Sequence, residues 1–237
     1  MRIAVIDKNA PSEAERELRR RGFYVIRTVP SEKLSAPLST HPDILFFKDG
    51  DTVVSSADYI DGAVGFFEEL SSLSNLEFRA SADVFGEKYP RDCIYNALVI
   101  GDKAFVKTDS ISKAVLDLLK NNGKKIIHVN QGYPACTVLP LGDGAAITAD
   151  EGMARALRGE GIKVTLIKNG GSALPPYEYG FIGGAAGVLG DAVYFLGDPK
   201  THESKDEILS AVKDAGLRAV SLFDGELIDL GRIIFAE

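Results

Sequence analysis

Gly142-Asp143-Gly144-Ala145-Ala146-Ile147-Thr148-Ala149-Asp150-Glu151-Gly152-Met153-Ala154-Arg155-Ala156-Leu157 decides the fold. A Gly-Asp pair suits a tight turn between antiparallel strands, because both residues tolerate positive φ. A short apolar strand follows. Then comes an aspartate placed to cap a helix whose apolar residues recur at helical spacing. The same order of signals recurs at Gly50-Asp51, Gly101-Asp102 and Gly190-Asp191, with an aspartate eight positions after the glycine each time: Asp58, Asp109, Asp150 and Asp198. Recurrence at one offset marks an internal repeat, and these carboxylates read as helix caps.

Helical patterns fall at about 11–22, 60–72, 111–122, 151–159 and 203–215. Four of them stop at a glycine (Gly22, Gly123, Gly161, Gly216) and lead into β-rich runs at 23–29, 125–129, 162–167 and 217–222. The fifth such run, 76–79, follows its helix without the glycine. Glu226 to Leu230 and Arg232 to Phe235, about Gly231, read as a last hairpin. The first strand, Ile3 to Ile6 ending at Asp7, repeats the pattern of Ala145 to Asp150 and is expected to close a ring with that hairpin.

The chain therefore divides into repeats 8–58, 59–109, 110–150, 151–198 and 199–237 joined to 1–7. The expected fold is α/β: a five-fold pseudosymmetric α/β propeller of ββαβ-type repeats around an axial channel, in one domain, 1–237. A closed ring leaves no free sheet edge. A doubly wound parallel sheet also alternates strands and helices, but it does not account for five hairpins.

Composition narrows the class. Of 237 residues, 45% are apolar and 26% charged, which is ordinary for a globular protein. Lys and Arg number 27 against 34 Asp and Glu, a net charge of −7 without a basic stripe, so a nucleic-acid partner is not expected. Two cysteines without metal-type spacing argue against a metal centre or a disulfide framework, and no cofactor is expected. No apolar run is long enough to span a bilayer, and Met1 to Asp7 reads as a strand rather than a signal peptide, so a cytoplasmic protein is expected.

The five-unit ring resembles the pentein superfamily over the whole chain. That family holds arginine deiminases, dimethylarginine dimethylaminohydrolases, agmatine deiminases and amidinotransferases. It also holds a non-enzymatic branch, the ribosome anti-association factor. The resemblance implies a cysteine of the fifth repeat that attacks a guanidinium carbon, a histidine of the third repeat that handles protons, and carboxylates that hold the guanidinium. Chemically, a thiolate is the nucleophile, a planar cation wants bidentate acceptors, and a histidine protonates the leaving amine.

Tyr89-Pro90-Arg91-Asp92 resembles the aromatic-x-Arg-Asp that opens an inner strand in arginine deiminases, which makes Asp92 the candidate guanidinium anchor; the other reading is an exposed turn carboxylate. In the third repeat, Tyr133-Pro134-Ala135-Cys136-Thr137-Val138 has Tyr133 or Pro134 where the family places its histidine. The fifth repeat has no cysteine. Cys93 and Cys136 read either as small buried apolar residues or as channel-lining thiols activated by Arg91 or His41. His41, as far before its glycine as Tyr133, is the candidate relocated base; His128 and His202 read as solvated or structural.

Arg91, Tyr133 and Glu226 are further candidate ligand contacts, and Tyr179 and Glu226 also read as ordinary strand-end residues. The glycine-rich stretch Gly180 to Gly190 leads into a strand, not a helix, so it is not a phosphate loop; its glycines let a strand approach the crowded axis. The basic run Arg16 to Arg21 is a solvated helix face. Two functions remain: a hydrolase or transferase acting on, or a protein binding, a small polar guanidino-type molecule through Asp92, Cys93 or Cys136, and His41; or a non-catalytic pentein that binds a partner.

Overall fold

Two-residue turns set the architecture. In the computed structural model, which describes residues 1–236, Gly50, Gly101 and Gly190 adopt φ of 57°, 59° and 59° and each folds one strand back on the next. At the fourth site, Gly142 with φ 77° opens a slightly longer loop closed by Leu141 N donating to Ala145 O at 2.8 Å.

In chain order, the first elements are β1 (Ile3–Ile6), α1 (Ser12–Arg20) and β2 (Tyr24–Arg27). One turn of helix, α2 (Pro42–Leu45), then leads into β3 (Phe46–Asp49), β4 (Thr52–Ser56), α3 (Ala57–Gly62), α4 (Val64–Leu73) and β5 (Glu77–Ser81). Next come β6 (Leu98–Ile100), β7 (Lys103–Val106), α5 (Lys113–Asn121) and β8 (Lys125–His128). A second single-turn helix, α6 (Pro134–Thr137), opens the following unit of β9 (Val138–Pro140), β10 (Ala145–Thr148), α7 (Glu151–Gly159) and β11 (Lys163–Leu166). The last elements are β12 (Ser172–Ala173), β13 (Ala186–Leu189), β14 (Ala192–Phe195), α8 (Lys205–Asp214), β15 (Arg218–Ser221), β16 (Leu227–Ile228) and β17 (Ile234–Ala236).

Five three-stranded sheets result: β3-β4-β5, β6-β7-β8, β9-β10-β11, β13-β14-β15 and β17-β1-β2. In each, an inner strand pairs antiparallel with its neighbour, and the strand after the helix returns parallel. The fifth sheet is assembled from the two ends of the chain, with Ile3 opposite Ala236 and Val5 opposite Ile234. This is the five-fold α/β propeller that the repeats imply.

Two local expectations are corrected. Glu226 to Leu230 is not a hairpin arm for Arg232 to Phe235: β16 pairs in parallel with β12, and β1 takes the place of the missing arm. Gly231 (φ 69°) and Arg232 (φ 68°) turn the chain forward into the inner strand instead of back on itself. The second correction concerns caps. Asp150 does cap α7, accepting from Met153 N at 2.8 Å, but Asp198 accepts from Lys200 N (3.0 Å) in a single helical turn, Pro199–Thr201, ahead of α8, whose own N-cap Ser204 makes no side-chain cap bond. The helices after Asp58 and Asp109 are capped instead by Ser56 and Ser112, which accept from Tyr59 N and Ala114 N, both at 3.2 Å.

Each long helix is wedged between its own sheet and that of the preceding unit. Met153 and Leu157 of α7 pack with Leu98 and Phe105, and Ile208 and Val212 of α8 pack with Leu139 and Ile147. Ala14 and Leu18 of α1 do the same against Ala192 and Tyr194, which ties the first helix to the last complete unit. A fully buried Leu or Ile contributes about 1.5–3 kcal/mol, so these shared clusters hold the ring closed without any covalent staple.

Candidate active site

The inner strands begin at one end of the ring, and the residues just before them converge there. Pro42 and Pro134 stand at the first positions of α2 and α6, where a fixed φ suits a helix start and a missing N–H costs nothing. These two turns place His41 and Asp43 on one side and Cys136 on the other. Asp229, between β16 and β17, comes from the fifth unit, and Asn96, just before β6, from the second.

Close approach at the axis depends on missing side chains. A Cβ on Gly184 would run into Asp229 Oδ1, and one on Gly183 would lie 2.6 Å from the Cys136 carbonyl oxygen. Gly184 N instead donates to that carbonyl at 2.9 Å. The glycine-rich stretch thus serves packing at the axis, as its position before a strand implies.

Every charged group here is buried. His41 donates from Nδ1 to Asp7 Oδ2 at 3.0 Å, while its Nε2 faces Asp229 Oδ1 at 3.8 Å. Asp7 is fixed in turn by Thr40 Oγ1 (2.7 Å) and Asn9 N (2.6 Å). Asp229 accepts from Phe181 N at 2.8 Å and Gly231 N at 3.1 Å. The Cys136 thiol donates to Asp43 Oδ2 at 2.9 Å and accepts from Asn96 Nδ2 at 3.2 Å. Asn96 is itself locked, donating to Asp43 O and accepting from Ala135 N. His41 Nε2 and Asp43 Oδ1 are buried with no hydrogen-bond partner among the described residues. Unsatisfied buried polar atoms are costly, and they mark places where a ligand completes the bonding.

Protonation follows from burial and neighbours. Burial pushes the Asp229 carboxyl up to about 6, against the attraction of His41. Burial likewise raises Asp43, opposed by the bond from Cys136 and the charge of His41. For His41, burial disfavours the cation, but the Asp7 hydrogen bond and the carboxylates of Asp229 and Asp43 outweigh it and hold its pKa above the ordinary histidine value. Burial, reinforced by Asp43, holds the Cys136 thiol well above its usual range, so the resting group is a thiol with its proton aimed at Asp43.

A cavity of about 190 Å³ opens over this cluster, with His41, Cys136 and Asp229 at its base and Tyr133, Tyr177, Tyr179 and Phe181 among its walls. Tyr177 and Tyr179 are exposed and form the rim. An acidic base under an aromatic wall is suited to a small planar cation.

Of the residues singled out from sequence, the structure brings His41, Cys136, Tyr133 and Tyr179 to one cavity. Asp92 stands one contact further out, its Oδ2 accepting from Tyr133 Oη at 2.7 Å. Cys93 lies outside the cavity, with its thiol bonded to Pro90 O at 3.4 Å, and burial plus the Asp92 charge push it up to about 12. Arg91 is exposed and bonds Val84 O, and Glu226 is exposed at the strand end. His202 is bonded by Ser204 N and His128 by Thr108, away from the cavity.

Sequence reading missed Asp43, Asp229, Asn96 and the positioning role of Asp7. A signal existed for Asp229, a lone carboxylate in the apolar run Leu227-Ile228-Asp229-Leu230. Asp43 is marked in the same way by its place two residues after His41 and directly before Ile44-Leu45-Phe46-Phe47.

A sequence-family profile described as a family of unknown function, DUF6873, matches residues 5–234. No curated protein sequence matches the chain. Among solved structures, an amidinotransferase of saxitoxin biosynthesis from Microseira wollei superposes with a TM-score of 0.57 at 12% identity, over 92% of this chain and 87% of that one. A dimethylarginine dimethylaminohydrolase from Pseudomonas aeruginosa, solved with citrulline, gives 0.57 at 10% identity over 93% and 90%. An inosamine-phosphate amidinotransferase from Streptomyces griseus gives 0.53 at 14% over 90% and 75%. All three are pentein superfamily members, and the fold of this chain is theirs.

Proposed function

The chain belongs to DUF6873 and carries the pentein fold, and on that premise we propose that it acts on the guanidinium or amidinium group of a small molecule bound over Cys136, as a hydrolase or transferase. The observation that supports this most is the convergence of a thiol, a histidine and the buried carboxylate of Asp229 at the base of one cavity, with the Asp43 carboxylate bonded to the thiol from behind it. The cysteine and histidine that the family resemblance implies stand in the fifth and third repeats. Here Cys136 and His41 stand in the third and first, the same spacing moved two units around a pseudosymmetric ring.

A planar cation entering the cavity meets Asp229 at the base and tyrosine faces around it. Its charge offsets the negative field of Asp43 and Asp229, which is what adds to burial in keeping the Cys136 thiol protonated. The Cys136 proton then passes to Asp43 Oδ2 as Sγ bonds to the guanidinium carbon. His41, held by Asp7, gives its Nε2 proton to the departing amine as the C–N bond breaks. Water, or an acceptor amine, attacks the S-bonded carbon and yields a proton to His41. The C–S bond then breaks, and Sγ recovers its proton from Asp43.

The test is a panel of guanidino compounds, with release of amine and formation of the ureido or transferred product as the readout. Turnover that disappears in Cys136→Ser and His41→Gln but survives in Cys93→Ser supports the reading. The protonated resting thiol favours a second reading, a pentein that binds such a cation without turnover; binding by calorimetry without product in the same panel selects it.

A further inference from the structure

The axis holds a second cavity, of about 360 Å³, on the other side of the buried layer. It runs along the inner strands, bordered by Phe46, Val99, Val188 and Ile234, with Lys48 and Arg232 as its cations. Asp43 borders it as well and bonds Cys136, which borders the first cavity, so that hydrogen bond links the two linings. We propose that this second cavity is a binding site for a small organic anion, a carboxylate with an apolar body, held by the Arg232 guanidinium.

Three observations carry the proposal. Arg232 makes no side-chain hydrogen bond or close ion pair to any described residue; Asp43 acts on it only at a distance, and burial works against its charge. A guanidinium so placed keeps its planar donors for a bidentate acceptor. Arg232 is also the single non-glycine described residue with positive φ, 68°, a strain held in place by its own N–H donating to Gly184 O at 2.9 Å. Backbone strain persists where the surrounding structure imposes it, often at ligand sites. Finally, the second cavity is the more basic of the two: Arg232 and Lys48 outnumber Asp43 there, whereas His41 and Asp229 offset one another in the first.

Benzoate, benzamidine and benzyl alcohol share one shape and differ in charge, which makes them the probes. Calorimetry on the full chain is expected to show benzoate binding in preference to benzyl alcohol, with NMR shifts at Val188 and Ile234. Arg232→Gln should weaken it at least about tenfold, the loss of one charge-assisted hydrogen bond. Val188→Phe keeps the charge and fills the space, and it should abolish binding even where Arg232→Gln fails to fold. No benzoate binding, equal binding of benzyl alcohol, or binding that survives both substitutions overturns the proposal. Benzamidine is expected to shift Tyr177 and Tyr179 instead. Its failure alone counts against the proposed function and leaves this site standing.

Discussion

The Cys136 thiol donates to Asp43 Oδ2 at 2.9 Å across 93 positions of sequence, joining the third repeat to the first at the axis. Asp43 both orients the sulfur and, after burial, is the main reason its pKa is high. Asp43→Asn removes that negative charge. The midpoint of Cys136 alkylation by iodoacetamide against pH should fall by at least about one unit. Cys93, raised chiefly by burial and Asp92, should keep its midpoint. A midpoint for Cys136 that does not move would detach Asp43 from the thiol.

Asp229 sets a stability slope of unusual sign. Its carboxyl is raised in the folded state to about 6 from 3.8, so the folded protein holds a proton that the unfolded chain has released between those values. Stability from this group is therefore present at low pH and lost as pH rises from about 4 to 6. The lost amount is at most about 3 kcal/mol, the free energy that separates the two protonation equilibria. His41 acts in the same direction above 6.5, its raised pKa making stability fall as pH rises through the folded value. In Asp229→Asn, Tm between pH 4 and 6 should rise relative to wild type as pH increases. A constant offset between the two curves would show that Asp229 titrates alike in the folded and unfolded chain.

Gly184 and Gly159 separate two uses of one residue type. A Cβ on Gly184 meets Asp229 Oδ1, whereas one on Gly159, in the last turn of α7, meets nothing within 4 Å. Gly184→Ala should destabilise by about 2 kcal/mol or more through overpacking of the axis. Gly159→Ala should stabilise by about 0.5–1 kcal/mol through helix propensity. Chemical denaturation midpoints measure both.

The ring was legible because its signals are local. Gly-Asp turns, glycine stops and helical spacing each act within a few residues, and they repeat. The closure was legible only in outline, since Glu226 to Leu230 has the strand character of a hairpin arm and its true partner, β12, lies over fifty positions back. His41, Tyr133 and Cys136 could be found because each stands just before the inner hairpin of its repeat. Asp43 and Asp229 escaped because their role depends on burial against groups from other units, which no spacing within a repeat encodes. Cys93 sits just before its inner strand much as Cys136 does, yet its sulfur lies beside Gly132 and does not line the cavity.

Chloroacetamidine and chloroacetamide test the central claim most directly, because they share one electrophilic carbon and only the first is a planar cation. If the cavity over His41, Cys136 and Asp229 recognises amidinium and guanidinium groups, intact-protein mass spectrometry will show chloroacetamidine labelling Cys136 at least about tenfold faster at pH 7. That preference will fall in Asp229→Asn. Equal rates for the two reagents, or labelling confined to Cys93, would contradict the account.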